Sequence, residues 1–168
     1  MASERLIYLP LGGAGEIGMN CYVYGYGKPG HERLIVVDLG VTFPDMDTTP
    51  GVDLIMPDIS WLAARKDRVD AIFITHAHED HVGAIGHLWD KLDAPVYARA
   101  FTSIHARRKM EEQGRNPDKV QTMQPWPESR QIGPFTVGFL PVSHSIPESS
   151  SMVCLLYTSD AADDLTRV

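Results

Sequence analysis

Hydrophobic residues occur along the chain in short runs of strand length, separated by turn residues. Runs that are rich in Val, Ile and Tyr and bounded by Gly, Pro and Asp are typical of β-strands. The pattern predicts strands at Leu6–Leu9, Cys21–Tyr24, Leu34–Val37, Ala71–Ile74, Pro95–Ala98 and Phe135–Val142, and the start of another at Ser151–Val153. These runs are numerous enough to build a sheet that forms the centre of a domain.

Three other segments carry apolar residues at helical spacing. They predict helices at Asp58–Arg68, Val82–Leu92 and Phe101–Gln113, and Gly114 follows the third as its C-cap. Strands that alternate with helices indicate a mixed α and β chain. The length of 168 residues suits one domain with a core of its own.

Composition narrows the class of protein. Hydrophobic residues make up 43% and charged residues 22%, which excludes disordered and collagen-like chains. The apolar runs are far shorter than the roughly 20 residues that span a bilayer, so no membrane partner is expected. Two cysteines and a start unlike a secretory signal predict a cytoplasmic protein. The net charge of −7 excludes binding of nucleic acid through a basic surface alone.

The main chemical signal is the sequence Thr-His-Ala-His-Glu-Asp-His, which directly follows the strand Ala71–Ile74. His76 and His78 lie two apart in extended chain, project to the same side and can share one metal ion. Asp80 and His81 follow where the chain turns towards a helix and can face a second ion. Imidazole and carboxylate ligands suit Zn²⁺, with Mn²⁺ or Fe as competitors. The alternative is a polar helix N-terminus with clustered histidines.

A third ligand for the first ion is needed, and His144 is the best candidate because it closes a predicted strand. Asp80 and His81 would need a bridging carboxylate, which is not found before Val153. A pair of ions that lowers the pKa of water and stabilises an oxyanion indicates hydrolysis of a phosphodiester, thioester or amide. The other histidines are interpreted as surface or helix-packing residues: His31, His87 and His105.

The spacing H-x-H-x-D-H after a strand resembles the metallo-β-lactamase superfamily, and the resemblance extends from Leu6 to Val153. It implies an α/β fold, the N-terminal portion of an αββα metallo-β-lactamase sandwich. More specific phrases resemble the ribonuclease J family of β-CASP ribonucleases: Leu11–Asn20, Val37–Gly40, Phe43–Asp45, Gly51–Asp58 and Val142–Ser149.

The resemblance also implies roles for individual residues. Asp80 and His81 would take part in catalysis, and Asp38 would be a strand-end aspartate that supports the metal loop. A turn-forming Asp before Gly40 is the alternative for Asp38. Two zinc ions are implied, with Mn²⁺ or Mg²⁺ as substitutes, and their ligands would be His76, His78 and His144 for one ion and Asp80 and His81 for the other.

The family's activity is 5′-to-3′ exonucleolytic and endonucleolytic cleavage of RNA in the processing and decay of rRNA and mRNA. The resemblance therefore implies an RNA substrate and a homodimer or homotetramer. The bridging aspartate expected beyond His144 and the β-CASP insertion have no counterpart in the sequence. Activity is accordingly expected of a longer parent, and the chain alone is expected to be inactive. The alternatives are another hydrolase of this fold, such as a glyoxalase II-like thioesterase or a lactamase-like enzyme, and a non-catalytic metal-binding module.

Two charged segments leave alternatives open. The acidic loop with Asp45, Asp47 and Asp53 either holds a hard cation such as Ca²⁺ or is an ordinary solvated loop. The basic segment Arg107–Lys109 either contacts RNA or is a solvated helix face.

The end of the chain resembles the conceptual translation of a sequencing-library adapter, from Cys154 to Asp164, followed by Leu165–Val168 as a sample index and primer. An ordinary polar tail is the alternative. We therefore expect a partial metallo-β-lactamase domain at residues 1–153 and a non-native tail at residues 154–168. Without that tail the net charge is −5, from 14 basic and 19 acidic residues.

Overall fold

The computed structural model describes residues 3–45, 47 and 49–156. No helix in this described part is long and apolar enough to cross a membrane. Three short 3₁₀ turns lie at Lys66–Arg68, Trp89–Lys91 and Pro117–Lys119. The strands are β1 Arg5–Gly12, β2 Cys21–Gly27, β3 Arg33–Val37, β4 Val69–Ile74, β5 Val96–Ala98, β6 Val120–Thr122, β7 Ser129–Ile132, β8 Phe135–Pro141 and β9 Ser150–Leu156, and the helices are α1 Ser60–Ala63, α2 Glu79–Val82, α3 Ile85–Leu88 and α4 Ala100–Glu112.

The strands form two sheets. In the first sheet, β1 to β6 lie side by side in chain order. Strands β1, β2 and β3 pair antiparallel, whereas β3, β4, β5 and β6 are parallel. The second sheet contains β7, β8 and β9, all antiparallel. The carboxyl ends of the parallel strands therefore meet at one edge, where loops can bring distant residues together.

The central strands of the first sheet are apolar throughout because the sheet is covered on both faces. Leu34 and Ile72 belong to the core on the helical side. Their neighbours Ile35 and Phe73 belong to the core between the two sheets. All four side chains are fully buried. This explains why β3 and β4 were visible in the sequence as uninterrupted hydrophobic runs.

The second sheet packs against the first through aromatic residues. The ring of Phe73 lies 5.3 Å from that of Tyr97 and 6.0 Å, edge-on, from that of Phe139. Phe135 and Val137 complete the fully buried inner face of β8. The described chain thus consists of a helical layer and two sheets, which are three of the four layers of an αββα sandwich.

Two predicted helices were wrong in extent. Asp58–Arg68 contains only the single turn α1 and a 3₁₀ turn. Val82–Leu92 is divided into short turns, and the helical structure begins earlier, at Glu79. The interruption has a physical cause, because the backbone N–H of Ala84 donates to the carbonyl of Leu39 at 2.9 Å and not to a helical carbonyl. By contrast, α4 agrees with its prediction, and Gly114 after it has φ +66°.

Strands β6 and β7 were not predicted. Both are short, and most of their side chains are exposed, so they carry no run or alternation of apolar residues. Strand β8 ends at Pro141, one residue before its predicted end. Strand β9 continues to Leu156 and pairs with β8 along its length. Backbone pairing is open to any sequence, so the boundary at Val153 stays a prediction, and residues 157–168 lie outside the described residues.

A buried carboxylate between β2 and β3 joins the first residue of β1 to the 3₁₀ turn before β4. Glu32 is 4% exposed, and its Oε1 accepts from Arg5 Nη2 at 2.7 Å. Its Oε2 accepts from the backbone N–H of Gly30 at 3.0 Å and from Arg68 Nη1 at 3.3 Å. Burial raises the pKa of Glu32, but the hydrogen bonds from its own backbone N–H, from Arg5 and from Gly30 outweigh burial and lower this pKa below its usual value.

We expect Glu32→Gln to lower the free energy of unfolding by about 2 kcal/mol, because the charged hydrogen bonds are lost. Since the folded pKa is lowered, the stabilisation is present above the unfolded value of about 4.3 and disappears as pH falls through the folded value. Urea unfolding of both proteins at several pH values measures the difference. The matched change Glu112→Gln removes an exposed pair with Arg108 and should cost below about 0.5 kcal/mol. Equal losses of unfolding free energy in the two variants would contradict a stabilising role of the buried Glu32 carboxylate.

Candidate metal centre

The site lies at the carboxyl end of β4. This strand is buried up to Ile74, and the chain then leaves the sheet at Thr75 and enters α2 at Glu79. The loop and the first turn of α2 carry the histidines and the aspartate of the H-x-H-x-D-H sequence. A rigid strand therefore delivers the polar residues to the sheet edge, as the sequence predicted.

A neighbouring segment after β3 fixes the path of this loop. The backbone N–H of Leu39 donates to the carbonyl of His81 at 2.9 Å. Gly40 lies so close to the loop that a Cβ atom there would stand 1.7 Å from the carbonyl oxygen of Asp80. Only glycine permits this approach, which explains the glycine two residues after Asp38.

The structure brings together three of the predicted ligands. One ring nitrogen from each of His76, His78 and His144 lies within 4.8 Å of the other two. His144 Nε2 lies 3.1 Å from His78 Nδ1. His76 is buried, His78 is half-buried and His144 is exposed. Three imidazoles that converge in this way, from two loops distant in sequence, can hold one metal ion.

The hydrogen bonds of His76 indicate which of its nitrogens is available. Thr75 Oγ1 lies 3.0 Å from Asp38 Oδ2 and 3.0 Å from His76 Nδ1. The carboxylate can only accept, so it takes the hydroxyl proton, and Thr75 Oγ1 then accepts from His76 Nδ1–H. His76 Nε2 is buried and has no hydrogen-bond partner in the part of the chain that the structure describes. A buried nitrogen with a free lone pair is costly unless a ligand occupies it, so this donor set fits a metal ion.

The charge state of His76 agrees with this arrangement. Burial lowers the pKa of His76 to about 4, with further contributions from the positive charges that His81, His144 and His78 would carry. His76 is therefore neutral at neutral pH. Metal ligation requires the neutral imidazole, so no proton has to be displaced from this residue.

Asp80 and His81 form a second pair beside the three imidazoles. Asp80 Oδ2 lies 3.3 Å from His81 Nε2, and the His81 ring centre is 3.9 Å from that of His76. His81 Nδ1 lies 2.7 Å from Asp38 Oδ2. Burial lowers the pKa of His81, but its hydrogen bond to Asp38 and the charge of that residue outweigh burial and raise this pKa. Asp38 thus contacts the metal loop where the resemblance implied.

Asn20 and Tyr22 were not identified from the sequence as site residues. Asn20 Nδ2 donates to the carbonyl of Asp80 at 3.0 Å and to its Oδ2 at 3.2 Å. Tyr22 donates its hydroxyl proton to Asn20 Oδ1 at 2.9 Å, which fixes the orientation of the amide. The only signal was the position of Asn20 at the end of the phrase Leu11–Asn20, next to β2.

Other predicted candidates lie outside this centre. Among the described residues, the three converging histidines are the only group of three or more such side chains that could hold a metal ion, and Asp45, Asp47 and Asp53 do not form a group of this kind. The basic segment is largely engaged in contacts within the chain, because Arg107 donates to a carbonyl and Lys109 pairs with Glu79 at 2.7 Å. The remaining histidines do not join the centre: His31, His87 and His105.

Replacement of Asp38 by asparagine tests the support of the metal loop. Its two oxygens accept from the backbone N–H of Thr75 at 2.8 Å and from His81 Nδ1. An amide would place its NH₂ group against one of these donors and disturb the orientation of His81. We expect Asp38→Asn to weaken Zn²⁺ binding by about 10- to 100-fold, measured by competition with a chromophoric chelator.

Asp90→Asn is the matched control, because Asp90 pairs with Arg115 at the surface, away from the histidines. It should leave the affinity for Zn²⁺ unchanged. If Asp38→Asn bound Zn²⁺ as tightly as Asp90→Asn, the proposed support by Asp38 would be wrong.

The sequence is similar to several ribonucleases J. It is 49% identical over 152 residues to ribonuclease J of Sinorhizobium meliloti, covering 89% of this chain and 26% of that protein. It is 42% identical over 139 residues to ribonuclease J of Corynebacterium glutamicum, covering 82% and 18%. It is 35% identical over 173 residues to ribonuclease J2 of Bacillus subtilis, covering 98% and 30%. The chain spans about a quarter of the length of the curated relatives it matches.

Solved structures of metallo-beta-lactamases have a similar fold. An archaeal metallo-beta-lactamase superfamily protein from Sulfolobus tokodaii has a TM-score of 0.52 at 18% identity, covering 92% of this chain and 60% of that one. The metallo-beta-lactamase SMB-1 has a TM-score of 0.54 at 20% identity, covering 85% and 53%. The family model described as metallo-beta-lactamase superfamily matches residues 14–160. The expected fold class is thereby confirmed, and the chain belongs to the metallo-beta-lactamase superfamily.

Proposed function

We propose that this chain forms the metal-binding part of a metal-dependent ribonuclease of the ribonuclease J type. The observation that carries the proposal is the convergence of three imidazoles on one point, with the buried Nε2 of His76 left without a hydrogen-bond partner among the described residues. The similarity to ribonucleases J supports RNA as the substrate. The reaction would be hydrolysis of a phosphodiester bond.

The donor set favours Zn²⁺ over hard cations, because imidazole nitrogens predominate. His76, His78 and His144 would hold one ion, and Asp80 and His81 would hold a second ion and contact the reacting groups. Mn²⁺ or Mg²⁺ could substitute for zinc. When bound, such ions lower the pKa of water towards neutrality and stabilise negative charge on the phosphate.

The chain's own residues prepare these donors. Asp38 keeps the proton of His81 on Nδ1, so that Nε2 carries no proton, lies 3.3 Å from Asp80 Oδ2 and accepts from Asn20 Nδ2 at 3.2 Å. Through Thr75, the same carboxylate keeps the proton of His76 on Nδ1. One buried aspartate therefore selects the nitrogen that each of two imidazoles presents to the centre, and it does so before any ion arrives.

The binding of RNA must rely on more than the surface of this chain. Its net charge is −7, and two residues of the basic segment, Arg108 and Lys109, form ion pairs with glutamates. We propose that the RNA phosphates are held by the metal ions and by regions of a longer, cytoplasmic protein. That protein would act in the processing and decay of rRNA and mRNA as a homodimer or homotetramer. The 168-residue chain alone would be inactive.

The deciding experiment compares substrates with the whole protein that carries this chain. We expect cleavage of 5′-monophosphorylated RNA, complete loss of cleavage after chelation and recovery on addition of Zn²⁺ or Mn²⁺. A thioester such as S-lactoylglutathione should remain intact. Thioester hydrolysis without RNA cleavage would overturn the ribonuclease proposal in favour of a glyoxalase II-like enzyme. A protein that binds metal but cleaves neither substrate would indicate a binding module.

A further inference from the structure

The loop of residues 142–149, between β8 and β9, carries His144 and has few contacts of its own. One backbone hydrogen bond closes its base, from Val142 N to Ser149 O at 3.0 Å, and another joins the residue after it to the start of the metal loop, from Ser150 N to Thr75 O at 3.2 Å. Most residues between them are exposed, including His144. In addition, His144 Nε2 lies 3.1 Å from His78 Nδ1, and the His144 ring lies 4.8 Å from both the His76 and the His78 ring.

Glu148 connects this loop to helix α4. Its Oε2 accepts from the backbone N–H of Phe101 at 2.6 Å, and its Oε1 accepts from Arg99 Nη2 at 3.2 Å. The N-cap residue of α4, Arg99, makes no side-chain capping hydrogen bond of its own. Glu148 therefore supplies, from 47 residues along the chain, the acceptor and the negative charge that a helix N-terminus favours.

The backbone of Glu148 is adapted to this contact. Its φ of +57° lies in the left-handed region, which is unfavourable for a residue other than glycine. Glycine would adopt this φ without strain, but it has no side chain to reach α4. The presence of glutamate at this position indicates that the two hydrogen bonds of its carboxylate offset the energetic cost of the left-handed backbone conformation.

The start of α4 and the start of the metal loop lie at the same edge of the first sheet. Ile74, the last residue of β4, is the register partner of Ala98, the last residue of β5. Arg99 and the start of α4 therefore lie level with Thr75, from which the metal loop departs. When Glu148 attaches the loop of residues 142–149 to α4, it therefore attaches the loop to the same sheet edge that carries His76 and His78.

We infer that Glu148 is a positioning residue for His144: it holds the loop of residues 142–149 against α4, so that His144 stands beside His76 and His78 before an ion binds. This inference rests on the proposed metal binding. Glu148 itself contacts neither His144 nor the other two histidines in any hydrogen bond of the structure, so its action passes through the loop.

Zn²⁺ titration of the 168-residue chain, by chelator competition, tests the inference. We expect Glu148→Ala to weaken binding by about 10- to 100-fold, as for other residues that orient a ligand. Glu148→Gln keeps an acceptor for Phe101 but loses the charge facing Arg99. Its affinity for Zn²⁺ should therefore lie between those of Glu148→Ala and the parent chain. Glu128→Ala is the matched control, because Glu128 has the same 32% side-chain exposure and also pairs with an arginine, Arg130. It should bind Zn²⁺ like the parent chain.

A second pair of variants separates positioning from general stability. In a His144→Ala background, Glu148→Ala should cause no further loss of affinity, because the ligand that it positions is already gone. An equal loss in both backgrounds would mean that Glu148 acts on the fold as a whole, and the inference would be wrong. Unchanged affinity in Glu148→Ala alone would also overturn it.

If the parent chain bound no Zn²⁺, the proposed function would fail, and hydrogen exchange of the metal-free chain would decide on Glu148. The amides of residues 142–150 should then exchange at least tenfold faster in Glu148→Ala and at the parent rate in Glu128→Ala. Equal rates in the two variants would show that Glu148 does not anchor the loop.

Discussion

Replacement of Gly40 by alanine is expected to destabilise the fold by about 3 kcal/mol and to disrupt the metal centre. The added Cβ would stand 1.7 Å from the carbonyl oxygen of Asp80 and 2.8 Å from the backbone nitrogen of His81. Both obstacles are backbone atoms, so no side-chain rotation relieves the clash. The loop must move away from the segment after β3, and it carries Asp80 and His81 with it.

The measurement is urea unfolding together with Zn²⁺ titration of the variant. Gly51→Ala is the control, because a Cβ there meets nothing within 4 Å and costs only the strain of φ +80°, about 1–2 kcal/mol. Gly51→Ala should keep the affinity for Zn²⁺. A Gly40→Ala protein with the stability and Zn²⁺ affinity of the control would show that the close approach described above is absent.

Replacement of His76 by alanine is expected to reduce the affinity for Zn²⁺ by more than about 100-fold. Loss of a residue that merely orients a ligand costs 10- to 100-fold, and His76 would itself be a ligand. Its Nε2 makes no hydrogen bond within the described residues, so the substitution removes no interaction of that atom from the metal-free protein. The loss should therefore appear in metal binding and, in the whole protein, in RNA cleavage.

Metal content after dialysis and chelator competition provide the measurement. His31→Ala is the matched control, since His31 is an exposed histidine in the turn between β2 and β3. It should retain the metal and the affinity of the parent chain. Retention of Zn²⁺ by His76→Ala at the parent affinity would contradict the proposed centre.

The local parts of the site were predictable from the sequence. His76, His78, Asp80 and His81 follow one strand within a few residues; extended geometry predicts that His76 and His78 project to the same side, and the turn towards a helix predicts that Asp80 and His81 lie beside them. His144 was found because it closely follows a second predicted strand, Phe135–Val142, and the structure places it in the loop after β8. Their placement in the structure agrees with the predicted set, while the assignment of each as a ligand remains a proposal.

The features that depend on contacts across the fold could not be predicted. The division of Val82–Leu92 into short turns follows from a bond between Ala84 and Leu39, which no helical pattern reveals. The contact of Asn20 with Asp80 spans 60 residues of chain. Strand β7 pairs through its backbone, which leaves no hydrophobic signature. In each case the determining partner is distant in sequence.

The three imidazoles come from loops on two different sheets: His76 and His78 follow β4 of the first, and His144 follows β8 of the second. A cation held between them would cross-link the two sheets. Its binding energy would add to the stability that the aromatic packing of Phe73 and Phe139 gives to the contact between the sheets. The stability of the folded state and the affinity for the ion are then thermodynamically linked, so the melting temperature should rise with the free ion concentration. Truncation of Phe139 should weaken ion binding although Phe139 is not one of the proposed ligands.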